Sequence, residues 1–241
     1  MITAAAICPC PPLLVRELTG KTEVLPELRA AVAAAVARLA ATAPDVLAVV
    51  GPGEKTASWP TAARLDVAAY SPAVGAAARP DAGPSGLPLS LGVGARLLDE
   101  AGYRGPRAFH AVAALARPAE CLRLGGEIAD AAPRVALLAM GDGSARRSVA
   151  APGYLDERAE PFDAAVERAV RDGDLPALAA LDPDLAADLM AAGRPAWQVL
   201  AGALAAGAGR PGTEILYADA PLGVAYLVAA LLPAAVLSPG Q

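Results

Sequence analysis

Short apolar runs alternate with longer helical ones along most of this chain. Ile2–Cys8 is a nearly unbroken apolar run of strand length, closed by Pro9, Pro11 and Pro12. Leu25–Ala43 reads as a helix, with Pro26 in its first turn and Pro44 ending it. Val46–Gly51 predicts a buried strand stopped by Gly51-Pro52-Gly53, and Arg64–Tyr70 is a candidate for a further strand. Residues 71–87, rich in Pro, Gly, Ala and Ser, read as a long surface loop. Helix returns over Leu89–Ala101, strand over Arg107–Leu115, helix over Ala119–Ala131 and buried strand over Val135–Met140. Helices follow across Asp163–Asp172, Leu175–Leu181, Pro183–Ala192 and Ala196–Ala206. Glu214–Tyr217 and Gly223–Leu232 close the pattern as strands.

This alternation predicts an α/β fold: one domain over residues 1–241, with a central, mostly parallel or mixed sheet flanked by helices on both faces. No linker and no internal repeat interrupts it. In open α/β sheets, ligands bind beyond the carboxyl ends of the strands. The candidate site loops are therefore 8–14, 51–58, the region around His110, 141–148 and 218–222. Several carry polar residues immediately after an apolar run, as a site held by rigid strands requires.

Composition narrows the function classes. The chain has 241 residues, 55% apolar and 19% charged, enough to bury a substantial core and too apolar for disorder. A formal charge of −5 argues against a nucleic-acid binder, which needs a basic face to displace counterions. Three cysteines do not make a disulfide framework, so reduced thiols are expected. Met1-Ile-Thr-Ala-Ala-Ala-Ile-Cys8 lacks a positive leader region and reads as a first strand. The apolar tail Gly223–Leu237 is interrupted by Pro233 and falls short of the ~18 residues a spanning helix needs. A soluble, cytoplasmic protein with no membrane partner is the expectation.

The densest polar cluster follows a buried strand: Met140-Gly-Asp-Gly-Ser-Ala-Arg-Arg147, then Ala-Pro-Gly-Tyr at 151–154 and Glu-Pro-Phe-Asp at 160–163. This segment resembles the Ser-Gly-Asp-Leu-Ser-His-Arg run and its Pro-x-Gly-Tyr…Glu-Phe-Asp continuation in class III extradiol ring-cleavage dioxygenases, which are also related to the Memo-like proteins. Trp197-Gln-Val-Leu-Ala-Gly202 and Tyr217-Ala-Asp-Ala-Pro-Leu-Gly-Val-Ala-Tyr226 resemble that family's Leu-Gly-Ala and Tyr-Glu-x-Pro-x-Gly-Val-Gly-Tyr endings. The resemblance runs over nearly the whole chain, and is best from Ala136 onward.

It implies an Fe(II) site and ring-opening chemistry, but the residues that should supply them are replaced. Cys10, in Cys8-Pro-Cys-Pro-Pro12, stands where a histidine binds iron; Gly51-Pro52-Gly53 stands where a second histidine follows strand two. Ala145 replaces the acid–base histidine, and Ala191 or Ala192 the metal-binding glutamate. His110 is the only histidine, and it resembles the family's active-site histidine outside the metal shell. Two histidines and a carboxylate are needed for a non-haem Fe(II) face, and one histidine cannot provide them.

Each remaining candidate has a plainer reading beside it. Cys10 is either a thiolate ligand or a small buried residue. His110, in an apolar run, is either a hydrogen-bonded core residue or a proton-transfer group. Asp142 and Ser144 either act chemically or cap a turn. Arg146 and Arg147 either bind an anion or pair with Glu157, Glu160 or Asp163.

Three functions follow. The preferred one is a catalytically degenerate homologue that keeps a small-molecule or partner pocket lined by Cys10, Pro52, Ser144, Ala145, Arg147, Ala191 and Asp219, with no cofactor. The second is an enzyme of altered chemistry using Cys10, His110, Asp142 and Arg146. The third is an oxidoreductase with copper or zinc held by Cys8 or Cys10 and His110. A homodimer is a mild expectation from the resemblance.

Overall fold

The computed structural model describes residues 1–20, 24–67, 70, 86–207 and 210–232. Its strands are β1 (Ile2–Cys8), β2 (Val46–Gly53), β3 (Ala57–Trp59), β4 (Arg107–Ala113), β5 (Val135–Met140), β6 (Gly212–Asp219) and β7 (Tyr226–Leu232). Its helices are α1 (Arg16–Thr19), α2 (Pro26–Ala41), α3 (Leu89–Glu100), α4 (Pro118–Ala129), α5 (Ala159–Arg171), α6 (Leu175–Ala179), α7 (Pro183–Asp188) and α8 (Arg194–Leu204). Proline occupies one of the first two positions of α2, α4, α6, α7 and α8. There its fixed φ suits the helix and its missing N–H costs no bond.

One seven-stranded sheet runs in the order β3-β4-β2-β5-β1-β7-β6. The inner strands β4, β2, β5 and β1 are mutually parallel, while β3 at one edge and the β7–β6 pair at the other are antiparallel. The single α/β domain with helices on both faces is thus as the alternation predicts. Alternate residues of each strand feed opposite cores. Ala4, Ala6 and Cys8 join α2 and α3 on one face, and Ala5 and Ile7 join α4, α5 and α8 on the other.

The tightest crossing is between α4 and α8. A Cβ on Gly125 would overlap the Val199 carbonyl, and one on Gly202 would overlap the backbone of Leu122. Glycine at both positions lets the two backbones touch, so the start of α8 is fixed against the sheet. Arg194, 1% exposed, extends that anchoring: its guanidinium donates to the carbonyls of Ala114 and Ala116 just past β4, and to Gln198 Oε1.

Three expectations need correction. β2 does not stop at Gly51: Pro52 and Gly53 stay paired with Val112 and Ala113 of β4. Beyond Val50, β5 no longer pairs with β2, so the proline sits where the strand has become an edge. Residues 57–59, within an expected loop, form β3 against β4. The described part of 64–70 contributes no strand to the sheet. Residues 71–85 of the expected loop, and Pro233, lie outside the described residues. No helix among the described residues is long and apolar enough to cross a membrane.

Candidate functional site

The carboxyl ends of β1 and β5 lie side by side, Cys8 paired with Met140. The chain leaves β5 through Gly141, whose N–H donates to the Cys8 carbonyl at 2.9 Å. A Cβ at Gly141 would strike Gly193, so glycine is required for this loop to meet the start of α8. Asp142 follows, tied on both sides. Its Oδ1 accepts the Cys10 N–H at 2.7 Å, and its carbonyl accepts the Gly193 N–H at 2.8 Å.

Protein surrounds this carboxylate closely although the residue keeps some exposed surface, and burial pushes its pKa up to about 6 against the opposing pull of the Cys10 N–H. Tyr226, at the start of β7, stands close enough that burial, then the charges of Asp142 and Cys10, raise it to about 12. Tyr70 is also raised, by burial, Asp66 and Cys10. The Cys10 thiol is pushed well up, by burial first and by Asp142 next. Cys8 is raised by burial alone. These thiols are held protonated, the opposite of what a metal-binding or nucleophilic thiolate needs.

Ser144 is fully buried and serves structure. Its N–H and Oγ donate to the two oxygens of Asp163 on α5, at 2.9 and 2.5 Å, and Arg147 donates to the same carboxylate at 3.3 Å. Arg147 also lies 3.7 Å from Glu160. Burial raises Asp163, and these three donors counter it. The capping and pairing reading of Ser144 and Arg147 is therefore the observed one. Ala145 is buried between the Leu189 carbonyl, 3.0 Å from its N–H, and the Gly153 N–H, 2.9 Å from its carbonyl. Ala191 is buried with its N–H on the Ala186 carbonyl. The Pro52 carbonyl accepts from Ser90 Oγ at 2.7 Å.

Beneath the 141–147 loop, a cavity of about 210 Å³ opens between α5, α8 and the ends of β6 and β7. Gly143, Arg147, Asp163, Trp197, Asp219 and Tyr226 are among its lining residues. Tyr226 joins this cavity to the Cys10–Asp142 pair. Loop position alone marks Arg147 and Asp219 as site residues. Asp163, Trp197 and Tyr226 carry no such signal, although each belongs to a segment that resembles the dioxygenases. Trp197 packs α8 on the sheet, and it is a wall of the cavity as well.

His110 and Arg146 are not gathered here. His110 is in register with Val50, which packs into the α4–α8 core, whereas Cys8 faces α2 and α3. Strands β2 and β5 also separate its strand from β1, about 14 Å at the usual strand spacing. Its Nδ1 is 3.0 Å from Ser58 Oγ on β3, and burial lowers its pKa. That corrects both the altered-chemistry quartet and the Cys8/Cys10–His110 metal set. Arg146 does not line the cavity, and its Nε is buried without a partner. Iron of the two-histidine, one-carboxylate kind does not fit these residues: among the described residues no three of His, Cys, Asp or Glu gather at metal-holding range. All three thiols are buried and free.

No protein-family model matches the chain, and no curated protein matches it. Among solved structures it is similar to an uncharacterized protein of Escherichia coli K12, at 14% identity and a TM-score of 0.49, over 95% of this chain and 99% of that one. At that distance the likeness says nothing of function.

Proposed function

We propose that this chain is a catalytically degenerate relative of the class III extradiol dioxygenases that has lost the Fe(II) site and binds a small molecule at the carboxyl ends of its strands. The observation that carries this reading is the content of the strand ends. Cys10 and Asp142 meet there through one hydrogen bond, Pro52 and Ala191 offer no side-chain donor, and a cavity lined by Gly143, Arg147, Asp219 and Tyr226 opens beside the Asp142 loop. The single histidine lies on β4, with β2 and β5 between its strand and β1.

Untagged protein, purified after expression in iron-supplemented medium, is expected to carry far less than one iron per chain and to consume no oxygen with catechol or protocatechuate. Stoichiometric iron, or substrate-dependent oxygen uptake, overturns the reading.

One observation favours a second reading, an enzyme of altered chemistry. A carboxyl group titrating near pH 6 suits proton transfer near neutrality. His110 and Arg146 have no part in it. Any activity found should then fall on Asp142→Asn and survive His110→Ala.

A further inference from the structure

We infer that the loop face around Val149, Tyr154, Leu155, Met190 and Leu222 is an interaction surface for a second copy of this chain, docked about a two-fold axis. The inference goes beyond the small-molecule reading and does not depend on what the strand ends bind.

Exposure locates the surface. Among the described residues eight large hydrophobic side chains are exposed, and these are five of them, each between 46% and 73% exposed. They come from three segments that the backbone ties together. The Ala145 N–H donates to the Leu189 carbonyl and the Arg147 N–H to the Gly223 carbonyl, both at 3.0 Å. A Cβ at Gly153 would lie 2.7 Å from Met190 Sδ, and one at Gly223 would lie 2.6 Å from the Ala151 Cβ. Scattered single exposures are ordinary, whereas a contiguous apolar patch marks a surface that is covered in use. Tyr154 and Met190 also hold left-handed backbones, with φ of 58° and 56°. Bulky residues adopt that region at a cost, and a turn that needed only its shape would carry glycine. What these two positions keep instead is a large apolar side chain in solvent.

Charge selects the occupant. Arg147 pairs with Asp163 and Glu160, and Arg158 with Asp156 and Asp188. Two charges of the loop are left over, one of each sign. Arg146 has no hydrogen bond or ion pair from its side chain among the described residues; only its Nε is enclosed, so its terminal nitrogens reach solvent. Glu157 is exposed and has no ion pair among the described residues either. The Asp156 N–H donates to the Arg146 carbonyl at 3.1 Å, so both leftover charges border the same patch. A basic peptide would meet Glu157 and leave Arg146 unpaired, and an anionic lipid surface would do the reverse. A second copy meets both, because a two-fold axis makes every contact twice. It sets Arg146 of each copy against Glu157 of the other, around the apolar side chains.

Sedimentation equilibrium of the full-length protein, from micromolar to submillimolar concentration, should show a reversible monomer–dimer transition. Arg146→Glu and Glu157→Arg should each weaken association more than about 10-fold, since either change sets like charges face to face twice. An equimolar mixture of those two variants should recover the dimer, because both cross-contacts are then attractive. The double variant Tyr154→Gly, Met190→Gly should remain monomeric with an unchanged far-ultraviolet circular dichroism spectrum, as glycine suits both left-handed positions. A parent that stays monomeric throughout, a dimer that survives the glycine variant, or a mixture that stays monomeric overturns the inference. So does a monomeric parent that sediments with phosphatidylglycerol vesicles, which would assign the patch to lipid.

Discussion

Asp142 Oδ1 lies 2.7 Å from the backbone nitrogen of Cys10, joining two residues 132 positions apart. The bond ties the loop after β5 to the loop after β1. Its acceptor is a carboxylate that burial makes reluctant to ionise, so the junction is sensitive to pH.

Asp142 titrates near 6 in the folded chain against 3.8 as its ordinary value. Folding therefore takes up a proton between pH 4 and 6. This group's contribution to stability is fully present below pH 4 and is lost as pH rises through 6. Asp142→Asn keeps an oxygen for the Cys10 N–H and removes the titration. Thermal melts should show the variant gaining about 2 kcal/mol over the parent at pH 7.5, with little difference at pH 4. Parallel stability profiles would count against the shifted carboxyl.

Asp163 holds the site loop to α5 through Ser144 and Arg147. Asp163→Ala leaves the buried Ser144 hydroxyl and N–H without their acceptor. Urea unfolding should register a loss of about 2–4 kcal/mol. A loss below about 1 kcal/mol would mean that the clamp is solvent-relaxed and does little for stability.

Adjacent glycines on α4 should respond in opposite directions. Gly125→Ala forces a methyl group into the backbone of α8 and is expected to cost about 2–4 kcal/mol, or to prevent folding. Gly126→Ala meets nothing within 4 Å, and should add up to about 1 kcal/mol by helix propensity. Melting temperatures of the two single variants check the contrast.

Cys8, Cys10 and Cys121 are free and buried, and burial raises all three thiols. A chromogenic disulfide reagent at pH 8 should label the native protein slowly and release three equivalents at once in denaturant. Rapid native labelling of one thiol, lost in Cys10→Ala, would instead favour the altered-chemistry reading.

Much of the fold is legible in the residues because strand and helix periods differ and proline marks the boundaries. The apolar runs match β1 and β5 to the residue, and the helical ones match α2 and α3 nearly so. The Gly51-Pro52-Gly53 end of β2 misleads because local turn chemistry looks decisive, whereas pairing with β4 outweighs it. β3 is too short to show a period. Loop position places Cys10 and Asp142 together beyond the strand ends and Arg147 and Asp219 at the cavity. What sequence does not supply for His110 is parity: which face an alternating strand turns inward depends on register with its neighbours, and a one-residue offset reverses it. Asp163 and Tyr226 belong to recognisable motifs but gain roles only once α5 and β7 are packed beside the loop.

The position of β1 has a consequence for how the chain is made. Its two sheet neighbours are β5 and β7, so the first strand synthesised has a partner only once residues 135–140 have emerged, and a second only after 226–232. Until then an almost wholly apolar segment waits with both edges unpaired. Long-range pairing of this kind slows folding and exposes aggregation-prone surface. Newly made chains are therefore expected to lean on chaperones until the β6–β7 hairpin has emerged and β7 can cover the second edge of β1.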